Sequence, residues 1–365
     1  MLQTPYYLLD RAAIARNMAV LDRLQAASGA RALLALKCFA TWPVFDSMRP
    51  HMAGTTSSSL FELRLGREKF GGETHAYSVA WADHEIDEAV GYADKIIFNS
   101  ISQLDRHGAR AAGIATGLRL NPRFSTSGFD LADPARPFSR LGEWDVTKLL
   151  AVADRISGVM IHYNCENADF ALFDAQLSRI EAEFAPLLEQ LDWVSLGGGI
   201  HFTAPGYPVD DLAARLKAFA ARFGVQVYLE PGEAAITNTA TLEVTVLDVL
   251  ENEKKLAIVD SSIEAHMLDL LIYRENAKLA PNAGPHRYMV CGKSCLAGDI
   301  FGEYAFPEPL KIGDRLSILD AAGYTMVKKN WFNGVKMPAI AIRELDGSIS
   351  LARDFGYEDY RASLG

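Results

Sequence analysis

The sequence contains four cysteines, Cys38, Cys165, Cys291 and Cys295, and no two of them have the CxxC spacing of a redox or zinc motif. This content argues against a disulfide-stapled secreted scaffold, and we expect a protein of the reducing cytoplasm. No apolar run approaches the roughly 20 residues that a membrane-spanning helix needs. The N-terminal segment lacks the basic and apolar regions of a secretory signal. We therefore expect no membrane partner.

Basic residues are also scarce relative to acidic ones. The chain has 36 Lys and Arg against 46 Asp and Glu, a net charge of −10. An acidic excess argues against a nucleic-acid partner and is compatible with a cationic small substrate. With 49% hydrophobic and 22% charged residues the composition is that of a globular protein. A length of 365 residues suits one large domain and a smaller one.

Short apolar runs alternate with amphipathic stretches over the first two thirds of the chain. Eight strands in such an alternation predict a closed parallel (β/α)8 barrel of the TIM type. The predicted strands are 33–37, 53–57, 75–79, 95–99, 117–121, 158–162, 193–199 and 226–230. The segment between the fifth and sixth is long and rich in Pro, Ser, Gly and Arg, and loops of this length are usually functional or disordered.

The pattern changes after about residue 236. Runs such as TLEVTVLDVLE, KLAIVD, HRYMVCG and RLSILDAAG alternate with turn signals, which indicates a mostly antiparallel β domain. We predict a barrel over 8–236 and a C-terminal β domain over 237–365, with 1–7 as a candidate addition to the latter.

Chemistry in such barrels sits at the C-terminal ends of the strands, and four polar features fall there. Lys37, His162, the glycines 197–199 and Glu230 end the first, sixth, seventh and eighth predicted strands. Each has an ordinary explanation when taken alone: a solvated lysine, a structural histidine, a tight turn and a strand end before Pro-Gly. Together at one barrel mouth, they indicate a site.

An amine, a glycine turn and a carboxylate at one mouth match the needs of pyridoxal phosphate. A pocket favours the neutral, nucleophilic form of a lysine such as Lys37. Consecutive glycines let backbone N–H groups converge on a phosphate. Glu230 would face the pyridine nitrogen, and His162 could stack on the ring. A metal-dependent hydrolase would need several His and Asp at strand ends, so we predict no metal site.

In order and spacing these motifs resemble the alanine racemase-like (fold type III) pyridoxal enzymes and, within them, the decarboxylases of diaminopimelate, ornithine and arginine. The resemblance covers nearly the whole chain and is greatest to the carboxynorspermidine decarboxylase branch. It is carried by ALKCFATWPVF, GTTSSSLFEL, PFSRLG, IHYNCEN, SLGGGIHFT, LEPGEA, VCGKSCLAGDIFGEY and DAAGYT.

The resemblance implies roles for individual residues. Lys37 would hold the cofactor and Cys295, reaching a neighbouring subunit's site, would help to protonate the product, so the enzyme would be a homodimer. The implied cofactor-binding residues are Lys37, His162, Gly197, Gly198, Gly199, Glu230, Gly232 and Tyr324. Ser58 and Glu62 match positions near the cofactor, whereas Cys38 receives no role beyond packing.

Two positions depart from most relatives. Glu233 stands where many of them have an arginine that holds phosphate, and Cys165 stands where ornithine-type enzymes have a serine. We expect Glu233, together with Asp269, to bind substrate ammonium groups through charge-assisted hydrogen bonds. For Asp269 the alternative is a solvated helix acid.

The resemblance predicts decarboxylation of carboxynorspermidine, carboxyspermidine or both. The sequence leaves open a decarboxylase of diaminopimelate, ornithine or arginine, and a non-catalytic pyridoxal phosphate protein. A racemase is disfavoured because such enzymes place an arginine, rather than a glutamate such as Glu230, against the pyridine nitrogen.

Overall fold

The structure is a computed structural model that describes residues 2–365. These residues form two compact units. One unit is Ala15–Ala235; the other combines the N-terminal residues up to Ile14 with Ile236–Gly365. The boundaries predicted above were 8–236 and 237–365.

The first elements are β1 (Tyr6–Asp10) and α1 (Arg11–Ser28). Asp10 ends the strand and caps the helix, because its Oδ1 accepts the Ala13 N–H at 2.9 Å. Gly29 follows the helix with a φ of 75° and donates its N–H to Gln25 O at 2.9 Å, so the helix stops at a residue without a Cβ penalty.

A closed barrel of eight parallel strands occupies the first unit, within the described residues. Each strand pairs with the next in the chain, and the last closes on the first through Arg31 and Tyr228. The prediction of a (β/α)8 barrel is confirmed. The strands are β2 (Arg31–Ala35), β3 (Gly54–Ser57), β4 (Glu73–Tyr77), β5 (Lys95–Phe98), β6 (Ala115–Leu120), β7 (Gly158–Ile161), β8 (Trp193–Ser195) and β9 (Gln226–Leu229).

Helices follow most of these strands, and local signals set their ends. Asp169 Oδ1 accepts the N–H groups of Ala171 and Leu172 and caps the longest helix of the barrel. Its buried residues recur at helical spacing, for example Phe173, Leu177 and Ile180. The helices are α2 (Leu60–Leu65), α3 (Ile86–Tyr92), α4 (Ile101–His107), α5 (Val146–Leu150), α6 (Phe170–Leu188), α7 (Val209–Phe223) and α8 (Glu233–Ile236).

The second unit is built on a mixed but mostly antiparallel sheet, as predicted. Its strand order is β14-β13-β11-β10-β1-β16-β17, with β15 on β10 and β12 on β15. The strands are β10 (Ala240–Asn252), β11 (Lys254–Val259), β12 (Lys278–Ala280), β13 (His286–Cys291), β14 (Ile300–Phe306), β15 (Arg315–Leu319), β16 (Ala339–Arg343) and β17 (Ile349–Arg353). The helices are α9 (Ile263–His266), α10 (Leu268–Tyr273) and α11 (Tyr357–Ala362).

Two strand pairs of this sheet are parallel: β1 with β16 and β11 with β13. The others are antiparallel, and β10 shows the alternation of a sheet with one buried face, since Leu242, Val244 and Val246 are buried and the residues between them are less so. Across residues 2–365, no helix has the length and apolarity needed to cross a bilayer.

Candidate active site

A cavity opens at the C-terminal mouth of the barrel, and residues from most of the strands line it. It encloses about 320 Å³ of empty space that includes open solvent. The lining residues are Lys37, Thr56, Ser57, Ser58, Tyr77, Arg119, Met160, His162 and Glu230. The structure thus brings together three of the residues predicted from strand ends, the lysine, the histidine and the glutamate, at the face where (β/α)8 barrels carry their chemistry.

Lys37 lies two residues beyond β2, in a turn in which Cys38 N–H donates to Ala35 O at 3.0 Å. Lys37 is exposed, and it lines the cavity. Burial within the protein, and then the positive charge of Arg119, lower the pKa of the Lys37 amine, while Glu230 acts in the opposite direction. The net lowering favours the neutral amine, which is the nucleophilic form.

Glu230 directly follows β9 and is buried. The Ser195 hydroxyl, at the end of β8, donates to Glu230 Oε1 at 2.6 Å. The Glu230 N–H donates to Gly197 O at 2.8 Å. The hydrogen bond from Ser195 fixes the Glu230 carboxylate in one orientation, and Glu230 lines the cavity.

The glycines after β8 form a turn in which a side chain has no room. Gly197 and Gly199 have φ of 70° and 86°. A Cβ on Gly197 would lie 2.7 Å from His162 Nδ1, and a Cβ on Gly198 would lie 2.2 Å from Glu230 O. Positive φ and this close approach together require glycine, so the turn packs directly against His162 and Glu230, two residues that line the cavity.

His162 directly follows β7 and lines the cavity. Burial lowers the pKa of its imidazole well below the ordinary range, and the charges of Lys37 and Arg119 add to this effect. His162 is therefore neutral near pH 7 and offers the flat face of an uncharged ring.

Arg119 is a cavity residue that the sequence analysis missed. It is buried within β6, and its Nη1 donates to the Tyr77 hydroxyl at 2.8 Å. The same hydroxyl donates to Asn99 Oδ1 at 2.8 Å. A charged residue inside the apolar run GLRLN was the signal that could have identified it, since a buried arginine needs fixed partners.

The long segment after β6 is tied to the strand ends at this mouth. Asn99 Nδ2 donates to Arg140 O at 2.7 Å, and Asn121 Nδ2 donates to Leu141 O at 2.9 Å. Cys165 follows His162 closely in the sequence, and its Sγ lies 3.6 Å from the carbonyl oxygen of Ala132, which belongs to this long segment. Burial raises the pKa of the Cys165 thiol to about 11, so it is a neutral thiol.

Ser58 lines the cavity, and its N–H donates to Glu62 Oε2 at 2.6 Å. Burial raises the pKa of Glu62, against the opposing effects of this N–H and of the Lys37 charge. Glu62 is thus linked to the cavity through Ser58.

Cys38, Gly232 and Glu233 form one contact group. Cys38 is buried, and its Sγ lies 3.6 Å from Glu233 Oε1. A Cβ on Gly232 would lie 2.6 Å from Cys38 Cβ, so glycine at this position leaves room for the cysteine. Cys38 therefore packs under the turn that leads to Glu233.

The remaining predicted residues, Asp269, Cys295 and Tyr324, belong to the unit of the C-terminal sheet. Cys295 is exposed in the loop between β13 and β14, and its N–H donates to Asn333 Oδ1 at 2.6 Å. Tyr324 follows β15 with a φ of 51°. Asp269 is in the first turn of α10 and forms an ion pair with Lys328.

A family model described as pyridoxal-dependent decarboxylase, C-terminal sheet domain, matches residues 7–322. The chain belongs to the pyridoxal-dependent decarboxylases. It is 62% identical over 364 residues to a carboxynorspermidine/carboxyspermidine decarboxylase of Herminiimonas arsenicoxydans, with 100% of both chains covered.

Solved structures agree with this assignment. Carboxynorspermidine decarboxylase of Campylobacter jejuni, complexed with norspermidine, superposes with a TM-score of 0.92 at 35% identity and covers 99% of this chain and 100% of that one. Diaminopimelate decarboxylase of Helicobacter pylori, at 17% identity and a TM-score of 0.86 over 100% and 98% of the two chains, shares the fold. The chain is a carboxy-lyase that uses pyridoxal phosphate, and the alternative of a non-catalytic carrier is not supported.

The residues at the barrel mouth fit this cofactor. The glycine turn follows β8, where barrels commonly hold phosphate, and it contacts His162 and Glu230 at the cavity. Lys37 offers an amine with a lowered pKa, and Glu230 offers a carboxylate oriented by Ser195. A lysine, an anion cradle and a fixed carboxylate are the three groups that this cofactor needs.

Proposed function

We propose that this chain decarboxylates carboxynorspermidine and carboxyspermidine to norspermidine and spermidine, in polyamine synthesis. The observation that carries the proposal is the 62% identity, over the full length of both chains, to a curated enzyme with this activity in its name. Similarity to diaminopimelate and ornithine decarboxylases is lower, at 26% and 24% identity over 194 and 226 residues.

Each residue at the barrel mouth has a distinct task in this proposal. Pyridoxal phosphate, when bound, supplies an electron sink for the electron pair that remains when carbon dioxide leaves. Lys37 would hold the cofactor through its amine, and Gly197, Gly198 and Gly199 would hold its phosphate. Glu230 would keep a proton on the ring nitrogen, with Ser195 preventing rotation of the carboxylate. His162, neutral because it is buried, would support the ring face without adding charge.

Substrate selection would rest on acidic side chains. Glu233 is half-buried beside Cys38, and a carboxylate here attracts an ammonium group, whereas the arginine of many relatives would attract phosphate. Asp269 is a second acidic position for a distal ammonium. The net charge of −10 also attracts a polycation over a longer range.

We further propose a cytoplasmic homodimer with shared sites. Cys295, exposed on the β13–β14 loop, would reach the site of the neighbouring subunit and deliver a proton to the carbon from which carbon dioxide leaves, while Tyr324 would contact the phosphate. Cys38, Cys165, Cys291 and Cys295 are all free thiols, in keeping with a reducing compartment.

Carbon dioxide release tests the substrate. We expect turnover of carboxynorspermidine and carboxyspermidine to exceed that of diaminopimelate, ornithine and arginine. Carboxyaminopropylagmatine belongs in the comparison, because a decarboxylase with that name from Synechocystis is 38% identical over 372 residues. Faster turnover of any of the other four substrates would overturn the proposal.

Two further measurements test the assigned residues. The purified enzyme should show a visible absorption band that borohydride reduces, and Lys37→Ala should lack it; a band that persists would refute the role of Lys37. Mixing inactive Lys37→Ala chains with inactive Cys295→Ala chains should restore activity in the heterodimer, since one of its two sites is intact. Absence of recovery would count against a shared site.

A further inference from the structure

A chain of hydrogen bonds runs from the cavity, across three neighbouring strands of the barrel, to the long segment after β6. Arg119 Nη1 donates to the Tyr77 hydroxyl at 2.8 Å, and that hydroxyl donates to Asn99 Oδ1 at 2.8 Å. Asn99 Nδ2 in turn donates to Arg140 O at 2.7 Å. We propose that Asn99 is a positioning residue: through Tyr77 it holds the guanidinium at the cavity and thereby maintains the reactivity of Lys37.

The arginine determines the direction of every bond in this chain. A guanidinium has N–H donors and no acceptor, so the Tyr77 oxygen accepts from Arg119 and the single Tyr77 proton goes to Asn99. The oxygen of the Asn99 amide therefore faces Tyr77, and its NH2 group faces Arg140. The Gly142 N–H, which donates to Asn99 Oδ1 at 3.1 Å, requires the same orientation. Tyr77, Asn99 and Arg119 keep 7%, 6% and 6% of their exposure, so solvent offers little replacement for a lost partner.

The far end of the chain is the segment 140–143, which also packs directly on Arg119. The Glu143 N–H donates to Arg119 O at 2.9 Å. Gly142 has a φ of 92°, and a Cβ at this position would lie 3.0 Å from Arg119 Cγ. Asn99 forms hydrogen bonds with the same segment at two points. The segment is thus attached both to the arginine and to the residue that orients it.

The near end of the chain is the cavity, which Tyr77, Arg119 and Lys37 all line. After burial, the positive charge of Arg119 has the largest effect in lowering the pKa of the Lys37 amine. Because the interaction of two charges weakens with distance, a guanidinium that moves away would lower this pKa less. The inference rests on the proposed function, in which Lys37 is the amine that reacts with the cofactor. The other titratable groups around this amine are unchanged in the variants used below: Glu230, Glu62, His162, Cys38 and Cys165.

Asn121 offers a matched comparison within the same loop. Like Asn99, it is a buried asparagine that directly follows a barrel strand and holds the long segment. Its Nδ2 donates to Pro134 O at 3.1 Å and to Leu141 O at 2.9 Å. Its Oδ1 accepts the Arg123 N–H at 2.9 Å. Removing either amide loosens the segment, but the Asn99 amide is also part of the chain to the cavity.

Cofactor loading of the full-length enzyme, freed of its cofactor, tests the inference. The Lys37 amine attacks the cofactor aldehyde, with loss of water, only in its neutral form, so the rate at which the visible band appears reports the protonation state of the amine. We expect Tyr77→Phe and Asn99→Ala to lower this rate roughly three- to tenfold at pH 7. Both variants should approach the wild-type rate toward about pH 10, where the amine is neutral in every variant. Asn121→Ala should show the pH dependence of the wild type.

The double variant distinguishes one chain from two independent effects. Because Tyr77 and Asn99 act in series, Tyr77→Phe combined with Asn99→Ala should load no more slowly at pH 7 than the slower single variant. Tyr77→Phe is the conservative member of the pair, since it removes one oxygen and keeps the ring whose centroid lies 5.3 Å from the guanidinium carbon of Arg119.

Three results would overturn the inference. Loading rates that are unchanged, or reduced by the same factor at every pH, would give Tyr77 and Asn99 a structural role alone. A pH shift in Asn121→Ala equal to that in Asn99→Ala would assign the effect to the segment. Reductions that multiply in the double variant would show that Asn99 does not act through Tyr77. Failure of the proposed function is separate, because it appears as a visible band in Lys37→Ala or as absence of carbon dioxide release by the wild type.

Discussion

Glu73 begins β4 and anchors a charged cluster at the end of the barrel opposite the cavity mouth. Its carboxylate accepts hydrogen bonds from His75 Nε2 at 3.1 Å and from the Tyr228 hydroxyl at 3.3 Å. Lys95 Nζ lies at 3.3 Å, and Arg31 forms an ion pair with the other carboxylate oxygen. Burial raises the pKa of Glu73, but these partners outweigh it and lower that pKa to about 2.

This pKa sets the expected effect of Glu73→Gln on stability. A fall from the ordinary value of 4.5 to about 2 corresponds to roughly 3 kcal/mol of folding free energy at neutral pH. The Glu73 side chain keeps 19% and that of Arg31 45% of its exposure, so solvent screening reduces the contribution to about 1–2 kcal/mol. For a unit of this size we expect a loss of about 2–8 °C in Tm.

The pH dependence carries the sign of the effect. Because the pKa of Glu73 is lower in the folded state, its contribution is fully present above about pH 4.5 and disappears as the pH falls toward 2. Burial lowers the pKa of His75, and the hydrogen bond to Glu73 opposes this lowering. The Tm values of the variant and the wild type should therefore be compared first at pH 7 and then at successively lower pH.

Thermal unfolding of the holoenzyme, followed by tryptophan fluorescence, is a suitable assay because the Trp193 ring lies 5.9 Å from that of His75. The difference in Tm between wild type and Glu73→Gln should be present at pH 7 and 5 and shrink below pH 4.5. Asp87→Asn, which removes an exposed carboxylate paired with Arg110, should change the Tm little. Equal Tm values at pH 7, or a difference undiminished at pH 3, would refute the reasoning.

Two further predictions concern the barrel mouth. Gly197→Ala should raise the cofactor Kd at least about tenfold in an absorbance titration, because the new Cβ meets His162 Nδ1 at 2.7 Å on a strained backbone. Gly206→Ala is the control, because Gly206 has a similar φ but open space around its Cβ position. Equal increases in the Kd of both variants would exclude crowding as the cause. Ser195→Ala should lower kcat about tenfold with a smaller change in KM, because Glu230 loses its 2.6 Å hydrogen bond; an unchanged kcat would show that Glu230 needs no such support.

The barrel was predictable because most of its strands are buried and form short, mainly apolar runs between amphipathic stretches, although β3 is the polar segment GTTS. The ends of the strands were less predictable than their existence. LLALK reads as a strand to Lys37, whereas β2 ends at Ala35 and the lysine lies in the following turn. Apolar residues continue beyond the hydrogen-bonded ladder because the turn is itself buried, as Leu36 shows. The Lys37 amine still lies at the barrel mouth in spite of this two-residue difference.

Pairings within the second unit could not be predicted from local pattern. The segment YYLLD is β1, and it pairs in parallel with β16, in a register that joins Tyr6 to Ala339. Neither run contains a signal for a partner more than 300 residues away, so this pairing is evident only in the folded sheet. Three strands of this unit, β1, β12 and β14, were not predicted; β12 is three residues long, too short for a period-two signal.

Partners of side chains were the least predictable part of the site. Arg119 is visible in the sequence as a charge within a strand, but alternation alone does not tell whether it faces the mouth or the helices. Its hydroxyl partner comes from β4, 42 residues earlier. The Asp269–Lys328 pair, 59 residues apart, could not be predicted either, since the sequence analysis considered for Asp269 only a substrate ammonium or solvent.

Arg119 supplies a fixed charge that adds to the effect of burial on the other groups at the mouth. A guanidinium does not lose its proton in a protein, and Tyr77 holds this one in place. Its charge, added to burial, lowers the pKa of both Lys37 and His162, whereas Glu230 raises the pKa of Lys37. The amine can be neutral and reactive while the mouth as a whole still attracts anions, because the permanent positive charge resides on Arg119 rather than on the nucleophile. A lysine that had to attract a phosphate and act as a nucleophile by itself would need opposite protonation states for the two tasks.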